Sequence, residues 1–397
     1  MNRARLLGCV AVAAATLAGC ATVPASRVSP DYAGPACSTA GASIAFDIES
    51  ASHSTCAILG ERAFAVLVTP EHAPPINPSP WYAFRYVADG AKGISVRLDY
   101  VGARHRYSPK LLRGPTVESI PVNVRRDGFS ALLDLPPGEG IVAAQELFSE
   151  ARYDIMIDRV ARLPRAQKII LGRSLDGRPI KAVRLGDLAA PGLVVLLGRQ
   201  HPPEVTGAIA MEAFVLELAN QAKAGKIGNG RVQFLVVPQL NPDGVARGHW
   251  RANRGAKDIN RDWGLFSQPE TRAVKTWLDA LPEKVRPVAM LDFHSTNRNL
   301  FYVQSETETD EREERFLTGW LEGKQAAMAG YPFLIQRKNA NPDLGTAKNW
   351  FHETYDIPSY TYEVGDDAGR EDITRSATLL ARSFLDQIDE LMAEGRH

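Results

Sequence analysis

His201-Pro202-Pro203-Glu204 sets an imidazole and a carboxylate three residues apart, directly after the apolar run Gly192 to Gly198. That run reads as a buried strand, and at the mouth of a sheet both side chains can face one cavity. Taken alone, the pair reads more simply as a helix-start glutamate favoured by the helix dipole beside a solvated histidine. His294 changes the balance, because it ends a second apolar run from Val288 and so also reaches a sheet edge. Two imidazoles and one carboxylate form a three-ligand zinc set with the fourth position open to water. Ser359 to Glu363 is a short β-type run ending in an acid. A carboxylate outside the ligand set is what a zinc–water reaction needs as its general base. Between these points, Asn241 to Trp263 carries Arg247, Arg251, Arg254 and Arg261 among several Asn and Asp. Two fixed guanidinium forks suit one carboxylate and one developing oxyanion. By itself the stretch reads equally as an Asx-rich loop laced with surface salt bridges.

The elements that must position these residues have two textures. From Ala42 to about residue 146 the pattern is of short strands, with β-branched or aromatic runs at Phe64–Thr69, Trp81–Val87 and Gly93–Val101. Proline clusters and Asp89-Gly90 separate them, and no long amphipathic helix intervenes, so a small antiparallel β-sandwich is expected. From residue 147 to 397 strands alternate with helices. Val205 to Ala224 places Met211, Phe214, Val215 and Leu218 on one helical face, Val232–Pro238 is another buried strand, and Ser376–Ala393 is a closing amphipathic helix. The fold class is therefore α/β, and in such sheets ligands gather beyond the strand ends. Val274, Trp277 and Leu278 are at core spacing.

The chain has 397 residues with 46 Lys+Arg against 46 Asp+Glu. Balanced charge gives no argument for nucleic acid, which would want a basic face, and the 45% hydrophobic content excludes disorder throughout. Arg3 and Arg5 precede an apolar stretch, Leu6–Leu17, that is too short to span a bilayer. Residues 1–19 are expected to be a secretory signal peptide. Leu17-Ala18-Gly19-Cys20 resembles a bacterial lipoprotein box, which implies lipidation at Cys20, a membrane anchor and a place in the cell envelope, periplasm-facing, with Ala21 favouring the outer membrane. Residues 20–41, rich in Ser, Pro, Ala and Gly, are expected to be a flexible tether. Cys37 and Cys56 remain in an exported chain, where a disulfide is expected ahead of a metal pair; two free buried thiols are the alternative.

The set HPPE, NPDG, R…DINRDW, DFH and SYTYE, in that order over about residues 150–395, resembles the zinc carboxypeptidase family that contains carboxypeptidase A. The strands before it, with Trp81-Tyr-Ala-Phe-Arg-Tyr, and Gly345-Thr-Ala-Lys348 ahead of Glu363 look like the cytosolic carboxypeptidase branch, although this chain carries an export signal. The resemblance implies a mixed sheet flanked by helices, preceded by the sandwich. It implies one Zn²⁺ per chain held by His201, Glu204 and His294, with Asp258 orienting the first histidine. Asn260 and Arg261 match the clamp on a substrate's terminal carboxylate, Arg251 the oxyanion arginine, and Glu363 the catalytic base. The pocket tyrosine of the pancreatic enzymes has no clear counterpart; it would fall within 331–349, where Tyr331 fits poorly. The family more often has a small residue at Pro203.

The implied partner is a peptide with a free C-terminal carboxylate. Lys348 matches an arginine of the cytosolic branch, whose members prefer acidic C-terminal residues, so it is expected beneath the specificity pocket; a surface lysine on a helix is the alternative. In a cell envelope the acid-rich candidates are peptide fragments and peptidoglycan stem peptides. A zinc amidase or deacylase on the same fold is a second reading, against which the Asn260–Arg261 pair argues. A non-catalytic lipid-anchored binding module is a third, and it would expect a missing ligand or base. His53, His72, His105, His249, His352 and His397 show no ligand spacing, and His249 reads as a solvated loop residue. The acidic run Glu306–Glu314 reads as an exposed loop or helix face.

Overall fold

The structure is a computed structural model that describes residues 34–51, 54–227, 230–328, 330–338 and 344–394. The signal peptide, Cys20, most of the tether, His53 and His397 lie outside the described residues. No helix among the described residues is long and apolar enough to cross a membrane.

Eleven strands make the first domain: β1 (Ala36–Thr39), β2 (Ala42–Ala45), β3 (Thr55–Gly60), β4 (Ala63–Val68), β5 (Ala83–Ala88), β6 (Ile94–Tyr100), β7 (Lys110–Arg113), β8 (Thr116–Ser119), β9 (Asn123–Val124), β10 (Ser130–Leu135) and β11 (Gly138–Ala143). They form two sheets, ordered β1-β2-β5-β11-β7-β8 and β3-β4-β6-β10-β9. In β6, Ile94, Val96, Leu98 and Tyr100 all point inward, the period-2 burial of a strand covered on one face. They meet Ile44, Phe84, Tyr86 and Val142 of the other sheet in one core.

One expectation is corrected here: the tether does not extend to residue 41, because Ala36–Thr39 pairs antiparallel with β2. The sandwich is antiparallel as expected but for one pair, β4 with β6, which run in parallel. Cys37 and Cys56 form a disulfide, and because β1 and β3 are edge strands of different sheets, the bond staples the two sheets together along one edge of the sandwich. The sequence separation of 19 makes the closed loop worth about 3 kcal/mol by the chain-entropy account. Urea unfolding of the oxidised and reduced protein should differ by about that amount.

The second domain runs α1 (Glu150–Ala161), β12 (Ala166–Arg173), β13 (Pro179–Gly186), β14 (Gly192–Gly198), α2 (Val205–Lys223), β15 (Val232–Val237), α3 (Pro242–Ala246), α4 (Pro269–Asp279), β16 (Arg286–Thr296), β17 (Leu300–Val303), α5 (Glu311–Trp320), β18 (Leu334–Arg337), α6 (Ala347–Tyr355), β19 (Ser359–Gly365) and α7 (Arg370–Ala393). Its eight strands form one mixed sheet, β12-β13-β15-β14-β16-β19-β17-β18, with β14 parallel to β15 and β16, and β16 parallel to β19. Along β14, Val194 and Leu196 enter the core under α2 and α7, while Leu193, Val195 and Leu197 enter the core under α4 and α6. Burial on both faces is why this strand reads as an unbroken apolar run. α2 sits close against the sheet at Gly207, where a Cβ would lie 2.5 Å from the carbonyl oxygen of His294. A larger residue there would push the helix off the strand that carries a site histidine.

Candidate active site

The parallel strands β14, β16 and β19 end at one edge, and the chemistry-bearing residues gather there. β14 stops at Gly198, and Arg199 turns the chain in the left-handed region at φ 54°. Its buried guanidinium secures that turn by donating to the Pro202 carbonyl (2.6 Å) and the Tyr153 hydroxyl (2.9 Å). His201 follows, and Glu204 occupies the N-cap position of α2. His294 lies within β16, in direct register with Glu363 of β19. The ligand atoms of His201, Glu204 and His294 all fall within 4.8 Å of one another.

The hydrogen bonding around this triad is that of a metal site. Nδ1 of His201 and Nδ1 of His294 both face the Glu204 carboxylate, at 2.8 and 2.7 Å. The opposite ring nitrogens are each backed by an acid: Nε2 of His201 by Asp258 at 3.0 Å, and Nε2 of His294 by Asp292 at 2.6 Å. Such partners fix tautomer and ring orientation, leaving Nδ1 as the donor atom for a metal. Burial opposes ionisation of Glu204, but the two imidazoles hold its carboxyl well below the usual range. Burial likewise opposes ionisation of Asp258, and His201 and then Arg251 outweigh it and keep the group anionic. Three ligand atoms converging on one point, two of them backed by carboxylates, suit Zn²⁺.

Asp292 carries no role in the sequence reading, although its place two residues before His294 puts it on the same strand face. It is fully buried and also accepts from Gln200 Nε2 at 2.6 Å, whose carbonyl in turn accepts from Trp263 Nε1 at 2.9 Å. Replacing Asp292 by Asn should lower zinc affinity by about 10- to 100-fold, measured by competition against a chelating dye.

The loop from α3 to a 3-10 turn at Ile259–Arg261 carries Arg251, Asp258, Asn260 and Arg261, while Lys348 lies in α6 and Glu363 in β19. Asp258 caps that turn, its Oδ1 accepting from the Asn260 backbone N–H at 2.9 Å, while its Oδ2 holds Arg251 Nε at 2.7 Å. Asn260 lies 3.4 Å from His294 through Nδ2, and its side-chain Oδ1 accepts the Ala347 N–H at 2.9 Å at the start of α6. Arg261 donates from Nη1 to the Asn260 backbone carbonyl at 2.7 Å. Asn260, Arg261, Arg251, Lys348 and Glu363 all line one cleft of about 310 Å³ together with the triad.

Glu363 is half-buried in this cleft, and its Oε2, shut off from solvent, has no hydrogen-bond partner among the described residues. Burial, with the Glu204 charge adding to it, pushes its carboxyl up to about 7. A base poised near neutrality follows from that placement. Lys348, 2% exposed, is not a surface lysine: its Nζ is buried without a hydrogen-bond partner among the described residues, and burial lowers it to about 8.

Tyr331, a poor fit to the pocket tyrosine from its sequence position, stays out of the cleft; it is buried, with its hydroxyl against that of Tyr362 at 2.8 Å. Other expectations change in the folded chain. His249 is not solvated but 2% exposed, with Nδ1 3.0 Å from the Ala252 carbonyl. Within the acidic run, Glu313 is buried on the inner face of α5, 3.1 Å from His352 Nδ1. The β-sandwich domain also reaches the site. Glu71 Oε1 accepts the backbone N–H groups of Arg251 and Ala252 at 2.7 and 3.0 Å, and Arg106 and Tyr107 line the cleft.

A family profile described as zinc carboxypeptidase matches residues 153–394. Mouse cytosolic carboxypeptidase 6 is 25% identical over 220 residues, 49% of this chain and 40% of the mouse protein. This chain spans less than half the length of the curated relatives it matches. A solved metallo-carboxypeptidase from Burkholderia cenocepacia superposes with a TM-score of 0.74 at 20% identity, covering 88% of this chain and 99% of that one. A metallo-carboxypeptidase from Pseudomonas aeruginosa, solved with (2-guanidinoethylmercapto)succinic acid, gives 0.69 at 20% identity, with 88% and 99% covered. At these identities the likeness is one of fold.

Proposed function

The chain belongs to the zinc carboxypeptidase family, and on that premise we propose that it removes single C-terminal residues from peptides with a free terminal carboxylate. The observation that carries this reading is one cleft holding a His–Glu–His metal triad, the buried carboxylate Glu363 and the Asn260–Arg261 pair. Zinc in the triad supplies Lewis acidity toward water and the scissile carbonyl. Asn260 and Arg261 hold the substrate's terminal carboxylate and set the last peptide bond beside Glu363. Glu363 accepts the proton of the attacking water and delivers it to the amine as the C–N bond breaks. Arg251, steadied by Asp258, hydrogen-bonds the oxyanion that develops on the carbonyl oxygen.

Lys348 supports the finer proposal that the residue removed is acidic. A buried ammonium without a protein partner is costly, and a carboxylate side chain entering the cleft supplies the missing counter-charge. The disulfide supports the proposal that the chain works outside the cytoplasm, in the cell envelope, tethered through a lipid on Cys20. Incorporation of labelled fatty acid that disappears in Cys20→Ser would bear this out.

The activity is tested with zinc-loaded protein and peptides whose C-termini are free or amidated. Stepwise loss of one residue from free termini, with amidated peptides untouched, is the expected result. Cleavage of blocked termini or internal amides would overturn the carboxypeptidase reading in favour of an amidase.

A further inference from the structure

We infer that Arg106, carried into the catalytic cleft by the β-sandwich domain, recognises an acidic side chain on the substrate residue just upstream of the scissile bond. The inference rests on the carboxypeptidase reading above. The residue that leaves is enclosed by the 3-10 turn and the start of α6, through Asn260, Arg261 and Lys348. The body of the peptide then has the rest of the cleft wall to run along, one part of it built by Arg106, Tyr107 and Trp250 and another by Thr296, Tyr302 and Lys338.

Arg106 is fixed as a recognition group is fixed. Its Nε and Nη2 grip one oxygen of Asp366, at 2.9 and 2.8 Å. Its guanidinium carbon sits 5.0 Å from the Tyr107 ring centre and 5.7 Å from that of Trp250. Those two rings are themselves tied together, Trp250 Nε1 donating to the Tyr107 hydroxyl at 3.0 Å. Asp366 is anchored in turn, its backbone N–H donating to Thr296 at 2.7 Å and its carbonyl accepting from Gln145 at 3.0 Å. One edge and the plane of the guanidinium are therefore occupied. The side chain still keeps 31% of its surface exposed, and it lines the cleft. A planar fork held in place loses little entropy on meeting a carboxylate. The alternative is an inter-domain clamp, with the Asp366 pair doing nothing beyond joining the domains. A clamp would scale the cleavage of all substrates together; it cannot set a preference among them.

The test compares two peptides identical except for the penultimate residue, one ending Glu-Glu and the other Ala-Glu, both with free C-termini. Zinc-loaded wild type should cleave the first with a kcat/KM about tenfold higher, the size of one exposed charge-assisted hydrogen bond. In Arg106→Gln the ratio should fall to near one, and Arg106→Lys should restore part of it. The ratio is taken within one preparation, so any unfolded fraction cancels. A wild-type ratio near one, or a preference that survives in Arg106→Gln, overturns the subsite while leaving the carboxypeptidase reading intact. Failure of the wild type to cleave either peptide overturns that reading and the subsite with it.

Discussion

Replacing Glu363 by Gln should lower kcat for peptide hydrolysis by about 10²- to 10⁴-fold, the contribution expected of a positioned general base. Zinc content should not change, because Glu363 lies outside the His201–Glu204–His294 triad. The amide keeps the shape and buries no new charge, so the fold should persist. Turnover at fixed enzyme, paired with metal analysis of the same sample, separates a lost base from a lost metal. The pH profile adds a second signature. Burial pushes this carboxyl up to about 7, and a nearby divalent cation favours its ionised form. The acid limb of kcat/KM is therefore expected at or below pH 7, with activity rising as the base loses its proton, and that limb should vanish from the residual rate of the Gln variant. Full activity in Glu363→Gln would remove the residue from the mechanism.

The second large effect is at Lys348, and its sign differs between activity and stability. Lys348→Met should reduce cleavage of a C-terminal glutamate by about 30-fold relative to a C-terminal leucine, as for truncating one partner of a buried charge pair. The same change should stabilise the free protein by about 1 kcal/mol or more at pH 7, because Met fills similar volume without burying an unpartnered cation. Burial lowers this lysine from 10.5 to about 8. Below about 8 both folded and unfolded wild type carry the proton and the cost of the buried charge is fully present. As pH climbs from there toward 10.5 the folded form gives up its proton first, wild-type stability recovers, and the advantage of Met fades. Chemical denaturation at pH 7 and pH 10 checks this, alongside paired kinetics. Unchanged selectivity with raised stability would leave Lys348 as a buried lysine without a substrate role.

Much of the site could be read in the chain because its geometry is local. His201 and Glu204 are three residues apart at the end of an apolar strand, so a single turn brings both to the sheet edge. His294 and Glu363 each follow a short run of buried strand residues, and parallel pairing of β16 with β19 places them side by side. Asp258, Asn260 and Arg261 share one capped turn. Hydrophobic runs and a short capping motif are patterns that a sequence displays directly.

The residues that escaped notice depend on contacts with no local signature. Arg106 meets Asp366 across 260 positions, and Glu71 meets Arg251 across 180. Each is an ordinary polar residue until the sandwich docks on the catalytic domain. Asp292 stands in the DFH motif, yet only the tertiary fold shows that its carboxylate reaches the far nitrogen of His294. A charge run and a loop position point Glu313 and His249 toward solvent, and the fold buries both because their faces of α5 and of the 247–258 loop pack inward. Spacing and burial period along the chain, joined to the order of the five motifs, were enough to single out the candidate metal ligands, the candidate base and the main buried strands. That the β-sandwich lines part of the cleft and that Lys348 lies buried within it emerges only on folding, because solvent exclusion is a property of packed surfaces and not of neighbouring residues.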